Sequence, residues 1–492
     1  MKRIQFVTIL ILSILALASC SKDKSASLEF ERTALYFSSW NDAPQTISYV
    51  ATNAQTVGVV SCSPGWSASV NMASSTIIVQ PVGLQEETSE EDLKTSGYIN
   101  INALNKENEA TSYQINVYIS QTIELDEAGA ANCYVITTPQ LNYTFDVMHR
   151  PDGVALDTKN ATLLWQSNPE AVKGVVFIDG KVLFFIPSSD EDESRVKDTN
   201  AVIAAYNDAG EVIWSWHLWI VNENPLADYV TFTNESGNSV VTMNKNLGAF
   251  TNSNGDSDSQ KIIDSYGMYY QWGRKDPFPR PLYYNASGAY DEDRYDISGV
   301  YIPEVQVERT SSNGTIDYTI KNPMVFITTA DDLNGEERGS CDWLATADNR
   351  AWNDDEKSLY DPCPYGWRVP TAEDLLMLRL SDKEDNTPLD IARGQYGWEL
   401  TDGNTSSFWS ACGRRRYVDG KVENMNYYEG ENGNYPPQPE PWEGYYWSSS
   451  VAGDGGARSL YFDLKTTRTI NKFEPNASNY RANAFQVRCV KQ

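Results

Sequence analysis

Asp361-Pro362-Cys363-Pro364-Tyr365-Gly366-Trp367-Arg368-Val369-Pro370-Thr371 decides the reading of this chain, together with Tyr446-Trp447-Ser448-Ser449-Ser450 and Gln486-Val487-Arg488-Cys489-Val490 downstream. After Pro370 the pattern turns helical. Thr371 can cap the first backbone N–H groups, and Glu373 and Asp374 occupy the first turn, where the helix dipole favours acids. Leu375, Leu376 and Leu378 supply an apolar face. Around this helix, Phe408-Trp409-Ser410 and residues 446–449, 459–464 and 485–490 read as strands, and Trp272, Trp367 and Trp447 are assigned to the core. Residues 424–445 are rich in Gly, Pro, Tyr and Trp. They are too Pro-rich for regular structure and read as a long ordered loop.

These blocks, with Tyr269-Tyr270-Gln271-Trp272-Gly273-Arg274-Lys275-Asp276-Pro277-Phe278, resemble the Fibrobacter succinogenes major paralogous (FISUMP) domain. That module is common in surface lipoproteins of Bacteroidetes and related to C-type-lectin-like folds. The resemblance covers about half the chain and rests on Trp, Cys and Pro. It implies a displayed, ligand-binding α+β domain over residues 236–492 and names no ligand. It also implies a Cys363–Cys489 bridge, because lectin-like folds often tie the terminal strand to the early part of the domain. Cys341–Cys412 is expected as a further pair, and Cys62 and Cys133 are expected free and buried. Residues 366–373 and 480–489 are similar to the formylglycine-generating enzymes, whose copper and oxygen chemistry uses a cysteine pair near the C-terminus. After Cys412 this chain has only Cys489, so that similarity implies the fold and argues against the activity.

Upstream the chain reads as β. Over residues 26–121, Tyr113, Ile115, Val117 and Ile119 alternate with Gln114, Asn116 and Tyr118, and Ile99 and Ile101 alternate with Asn100 and Asn102. Short strands broken by Asn, Gly, Pro and Ser describe an immunoglobulin-like sandwich. It resembles the BACON and similar modules of Bacteroidetes surface lipoproteins. Residues 122–235 form a second β-rich, sandwich-like domain. There Asp179-Gly180 supplies the positive φ angles of a two-residue hairpin turn, and a second hairpin folds about Asp208-Ala209-Gly210. Trp214-Ser215-Trp216-His217-Leu218-Trp219-Ile220 is apolar on both faces, so it reads as a strand covered on both sides. The fold class is mainly β and multidomain.

Residues 1–20 read as an export signal: Met1-Lys2-Arg3 is followed by an apolar run over 6–18, short of the roughly 20 residues a membrane helix needs. Leu17-Ala18-Ser19-Cys20 resembles the lipobox of bacterial lipoproteins, which makes Cys20 the lipid-attachment residue and implies an outer-membrane, surface location. The lipid is the expected membrane contact. Net charge is −28, which disfavours nucleic acid as a partner.

Conventional catalysis finds little support. His149 and His217 are the two histidines; His217 lies mid-strand and reads as a satisfied core residue, and no serine or cysteine triad has supporting context. No cofactor is expected. Calcium is the candidate to weigh, through Asn252, Asn254, Asp256 and Asp258 or Asp291-Glu292-Asp293, although polar loops explain both. The cluster given most weight is Tyr427, Tyr428, Tyr435, Trp442 and Tyr445 beside Arg414, Arg415 and Arg416. Aromatic rings stack on sugar faces or anchor protein partners, and arginine adds planar hydrogen bonding. The reading is a lipid-anchored adhesin or recognition protein for a glycan or surface protein, with no chemical step. The alternatives are a fimbrial tip or accessory subunit that binds another pilin, and a metal-dependent enzyme of unfamiliar type.

Overall fold

Alternation builds the first domain. On Ala110–Ile119, the side chains of Ile115, Val117 and Ile119 are buried while Gln114 is exposed, the two-residue period of a strand with one covered face. Ser96–Leu104 places Ile99 opposite Ile115 on that same face. The computed structural model describes residues 25–83, 93–252, 259–285, 288–330, 338–380, 397–425, 443–463 and 473–492. One sheet of the domain runs Ser27–Phe30, Gln45–Thr52, Thr76–Pro81, Trp66–Asn71; the other runs Ala34–Phe37, Ala110–Ile119, Ser96–Leu104, Thr56–Cys62. With the split first strand counted once, the order is first-second-fifth-fourth against first-seventh-sixth-third, the immunoglobulin arrangement. Ile47, Ile77, Val79, Ile101 and Val117 fill the space between the sheets. Tyr118 keeps the alternation and faces outward, yet it is buried. Its ring is buried because the second domain covers it, stacking on Tyr36 at 5.1 Å and Phe185 at 4.7 Å between centroids. Cys62 is a half-buried thiol rather than a buried one.

The second domain pairs two four-stranded sheets. In one, Asp179 and Gly180 adopt φ angles of 51° and 80°, the turn that joins Lys173–Ile178 to Lys181–Ile186. In the other, Thr199–Tyr206 pairs with Val212–Ile220, which is indeed covered on both faces. Trp216, Leu218 and Ile220 pack between the sheets with Phe145 and Phe184. Trp219 and Val221 pack in the opposite direction, in one cluster with Trp272, Trp447 and Phe485 of the C-terminal domain. The second and third domains therefore share a core. On either side of residue 235, Tyr229–Thr233 pairs with Ser239–Met243, whose Thr242 lies opposite Val490. A tight hairpin, with Gly237 at positive φ, keeps these two strands together in the C-terminal domain.

The C-terminal domain is organised on a sheet that runs Tyr269–Gln271, Ala484–Gln486, Cys412–Arg415, Glu443–Val451, Ala457–Asp463, Phe473–Asn479, with Val422–Met425 added beside Cys412–Arg415. Thr371 caps a single helical turn, Ala372–Leu375, in a reciprocal capping box with Asp374. Leu375 and Leu378 are buried, but Leu376 is 53% exposed, since one turn presents a narrower apolar face than a full helix. Ser259–Asp264 and Ile316–Lys321 are also helical, in stretches where the sequence suggests no helix. Cys363 and Cys489 are joined as the resemblance implies. Cys341 and Cys412 are not bridged. They belong to different core clusters, Cys341 with Trp343 and Leu344, Cys412 with Trp409 and Tyr446. Cys133 is a buried thiol, as expected.

Candidate functional site

The aromatic segment is anchored at both ends. Its entry strand Val422–Met425 pairs with Cys412–Arg415, Met425 opposite Cys412. Its exit strand Glu443–Val451 starts with Glu443 opposite Asp463 and Gly444 opposite Gly413. Tyr427, Tyr428, Tyr435 and Trp442 lie between these strands, outside the described residues, as does Cys20. The sheet position explains the fate of the neighbours. Strand alternation splits the arginine run, so that Arg415 turns into the core while Arg414 and Arg416 share the other side.

Arg415 is fully buried and pairs with Glu304 at 2.7 Å and Asp291 at 2.9 Å, and it also donates to the Gly420 and Pro279 carbonyl oxygens. It is a structural cation, unavailable to a ligand. Arg414 pairs with Glu423 at 2.8 Å and lies over the Tyr445 ring at 5.1 Å. Arg416 pairs with Asp419 at 2.5 Å and keeps 42% of its side-chain surface exposed. Tyr445 is buried against Tyr461 and Phe485, correcting the expectation that its ring is displayed. Its hydroxyl donates to Glu443, which also accepts from Tyr461 at 2.8 Å. Burial pushes the Glu443 carboxyl above the usual range, against the opposing pull of these hydroxyls. The base of the aromatic segment is thus a packed floor of paired charges and rings.

Asp291 is engaged by Arg415, and Glu292 by Arg280 at 3.0 Å, so this acidic run serves ion pairs. Most of the Asn252–Asp258 stretch lies outside the described residues; Asn252 donates to Asn244 at 2.8 Å. Among the described residues, no group of three or more His, Cys, Asp or Glu could hold a metal ion. His149 is on the surface beside Asp146 at 2.6 Å. His217 is buried, hydrogen-bonded to Asn200 at 2.9 Å, and burial pushes its imidazole down to about 3.

Sequence reasoning missed the buried cations. Lys275 is sealed between the second and third domains, on the Ser215 carbonyl at 2.9 Å, beside Asp276 at 2.7 Å and over the Trp214 ring at 4.7 Å. Burial lowers its affinity for a proton, and Asp276 opposes that effect. Arg481 lies over Trp272 at 4.3 Å, and Arg488 lies over Trp409 at 4.2 Å. The signal was present: Arg488 sits between Val487 and Cys489 in a run, 484–490, that is otherwise apolar except for Gln486.

No family model matches the chain, and neither does any curated protein. Among solved structures, 147 chains match. A chimeric titin Z1Z2 is similar over 40% of this chain and 97% of that one, at 10% identity and a TM-score of 0.14. The periplasmic chaperone SfaE is similar over 39% and 100%, at 9% identity and 0.20. The Bacteroides ovatus protein SGBP-B, in complex with a mixed-linkage heptasaccharide, is similar over 45% and 58%, at 12% identity and 0.13. Scores this low carry no argument about function. The sandwich assignment stands on strand order, and the chain is a multidomain, mainly β protein.

Proposed function

We propose that the protein is a lipid-anchored surface protein that recognises a glycan or a surface protein through the aromatic segment of its C-terminal domain, without a chemical step. The observation that carries the proposal is the anchoring of that segment. Met425 and Glu443 are both held in one sheet, whose core is closed by the Cys363–Cys489 bridge. A recognition segment whose ends are fixed loses less conformational freedom on binding. The acids and arginines at its base are engaged with one another, which suits a support for a binding surface. The FISUMP reading of this domain and attachment through Cys20 are part of the same proposal, and the Cys363–Cys489 bridge supports the former.

The test is a glycan array probed with residues 21–492, with calcium and with chelator, beside Trp442→Ala. Binding lost in Trp442→Ala supports the reading, and the chelator lane decides whether calcium takes part. A blank array with folded protein sinks the glycan arm and leaves a protein ligand. Palmitate labelling of wild type and Cys20→Ala in the expressing cell tests the anchor, which fails if both incorporate label equally.

A further inference from the structure

The outward face of the first sandwich carries a surface of another kind. Across Ser96–Leu104 and Ala110–Ile119, Tyr98 lies opposite Asn116, Asn100 opposite Gln114, and Ser96 opposite Tyr118. Tyr98 is 42% exposed. The amides beside it are already oriented: Gln114 Nε2 donates to Asn116 Oδ1 at 2.9 Å, and Asn100 Nδ2 donates to Ser61 Oγ at 3.0 Å. Two other domains close over this face. From the second domain come Glu170, Lys173 and Gly174; from the third comes Ile297. Two adjoining hollows of about 320 and 380 Å³ result, sharing Gln114, Asn116, Tyr118 and Lys173. That is the size of small-ligand sites.

The walls are held in place. Tyr36 donates from its hydroxyl to the Gly174 carbonyl at 2.5 Å. The hairpin bearing Ile297 is stitched to the second domain by reciprocal Gln166–Tyr295 backbone bonds, each 2.9 Å. The cleft therefore exists only where three domains meet.

We propose that this three-domain cleft binds a short oligosaccharide. Side-chain amides offer donor and acceptor on one planar group, which suits the neighbouring hydroxyls of a sugar ring. The Tyr98 ring offers a face for the apolar side of that ring, and the Lys173 ammonium adds a donor. An extended peptide would instead need a free sheet edge for its backbone. The floor here is a sheet face whose backbone groups are paired between Ser96–Leu104 and Ala110–Ile119. This site is independent of the C-terminal aromatic segment.

The test uses residues 21–492 as wild type, Tyr98→Ala, Gln114→Ala, Ile297→Ala and Trp442→Ala, on arrays of defined oligosaccharides and of peptides. Gln114 is exposed, so its truncation spares the fold even if Tyr98→Ala does not, and thermal melts check each variant. At least one oligosaccharide should bind wild type and Trp442→Ala equally, and bind Tyr98→Ala, Gln114→Ala and Ile297→Ala roughly tenfold more weakly, the loss of one good contact. The proposal is overturned if no oligosaccharide shows that pattern, if every bound glycan depends on Trp442 alone, or if peptides take the cleft instead.

Discussion

Acidification from pH 7 to pH 5 should weaken the joint between the second and third domains through one residue, His217. Its ring lies on the strand face that meets the C-terminal domain, opposite Cys133 on one neighbouring strand and Val202 on the other. Asn200 donates through Nδ2 to the Gly248 carbonyl at 3.0 Å, so its Oδ1 accepts from His217 Nε2–H. The imidazole is thus the neutral Nε2–H tautomer, and a second proton would have to enter at Nδ1, which has no partner among the described residues. Burial holds the folded value down to about 3, against an ordinary 6.5. Below pH 6.5 the unfolded chain takes up a proton that the folded chain refuses until about pH 3. Stability therefore falls as pH drops through that window, at up to about 1.4 kcal/mol per pH unit. Between pH 7 and pH 5 the loss from this residue is about 2 kcal/mol. Urea unfolding of wild type and His217→Gln at pH 7, 6 and 5, followed by tryptophan emission, isolates it, because every other titrating group is common to both proteins. The wild-type midpoint should fall more steeply than that of the variant. Parallel pH dependences, or a His217 ring proton that titrates near pH 6.5 by NMR, would show that burial does not hold the imidazole neutral.

Other consequences are equally direct. The Cys363–Cys489 bridge closes a loop with a sequence separation of 126, so its reduction should destabilise the C-terminal domain by about 4–5 kcal/mol, read as a lower calorimetric transition in dithiothreitol. An unchanged transition would show that the bridge adds nothing. Lys275→Met leaves Asp276 buried without its cation and should cost about 3 kcal/mol, while Lys275→Met with Asp276→Leu should recover much of it. Urea midpoints of the single and double variants decide, and equal losses would remove the coupling. Gly174 has φ +63°, and a Cβ there would sit 2.4 Å from the Tyr118 ring. Gly174→Ala should therefore part the first two domains, seen as a larger maximum dimension in small-angle X-ray scattering, and an unchanged profile would sink that account.

Local patterns carried much of this fold. The period of two on Ala110–Ile119, the Asp179-Gly180 turn and the N-cap at Thr371 each depend on neighbours within a few residues, and each formed as read. What was not legible depends on surfaces meeting. Tyr118 obeys the alternation that should expose it, yet a partner domain buries it. The same holds for Tyr445 and Arg415, whose sequence neighbourhood looks like a displayed loop while their strand positions turn them inward. Val212–Ile220 is the informative intermediate case. Its doubly apolar pattern announced two covered faces but could not say that the second cover was another domain.

Among its described residues the C-terminal domain has few helices and much irregular chain, and that explains its buried cations. Irregular chain leaves carbonyl oxygens without a ladder to accept from, and a buried carbonyl needs a donor. Arginine and lysine bring several donors on one side chain and no acceptor. Arg274 donates to the carbonyls of Pro323 and Val325, Arg488 to that of Phe408, and Lys357 to those of Cys363 and Trp367. Each ties together segments that no sheet joins. Burial has an electrostatic cost, visible in Arg274 and Arg488, both pushed down to about 10. Several cations recover part of that cost by lying over aromatic rings, Arg274 at 4.8 Å from Phe278 and Arg488 at 4.2 Å from Trp409. Cations thus do in this domain what helices do elsewhere: they fix backbone that would otherwise move. A sheet braced this way holds both ends of the aromatic segment in register, Met425 opposite Cys412 and Glu443 opposite Asp463.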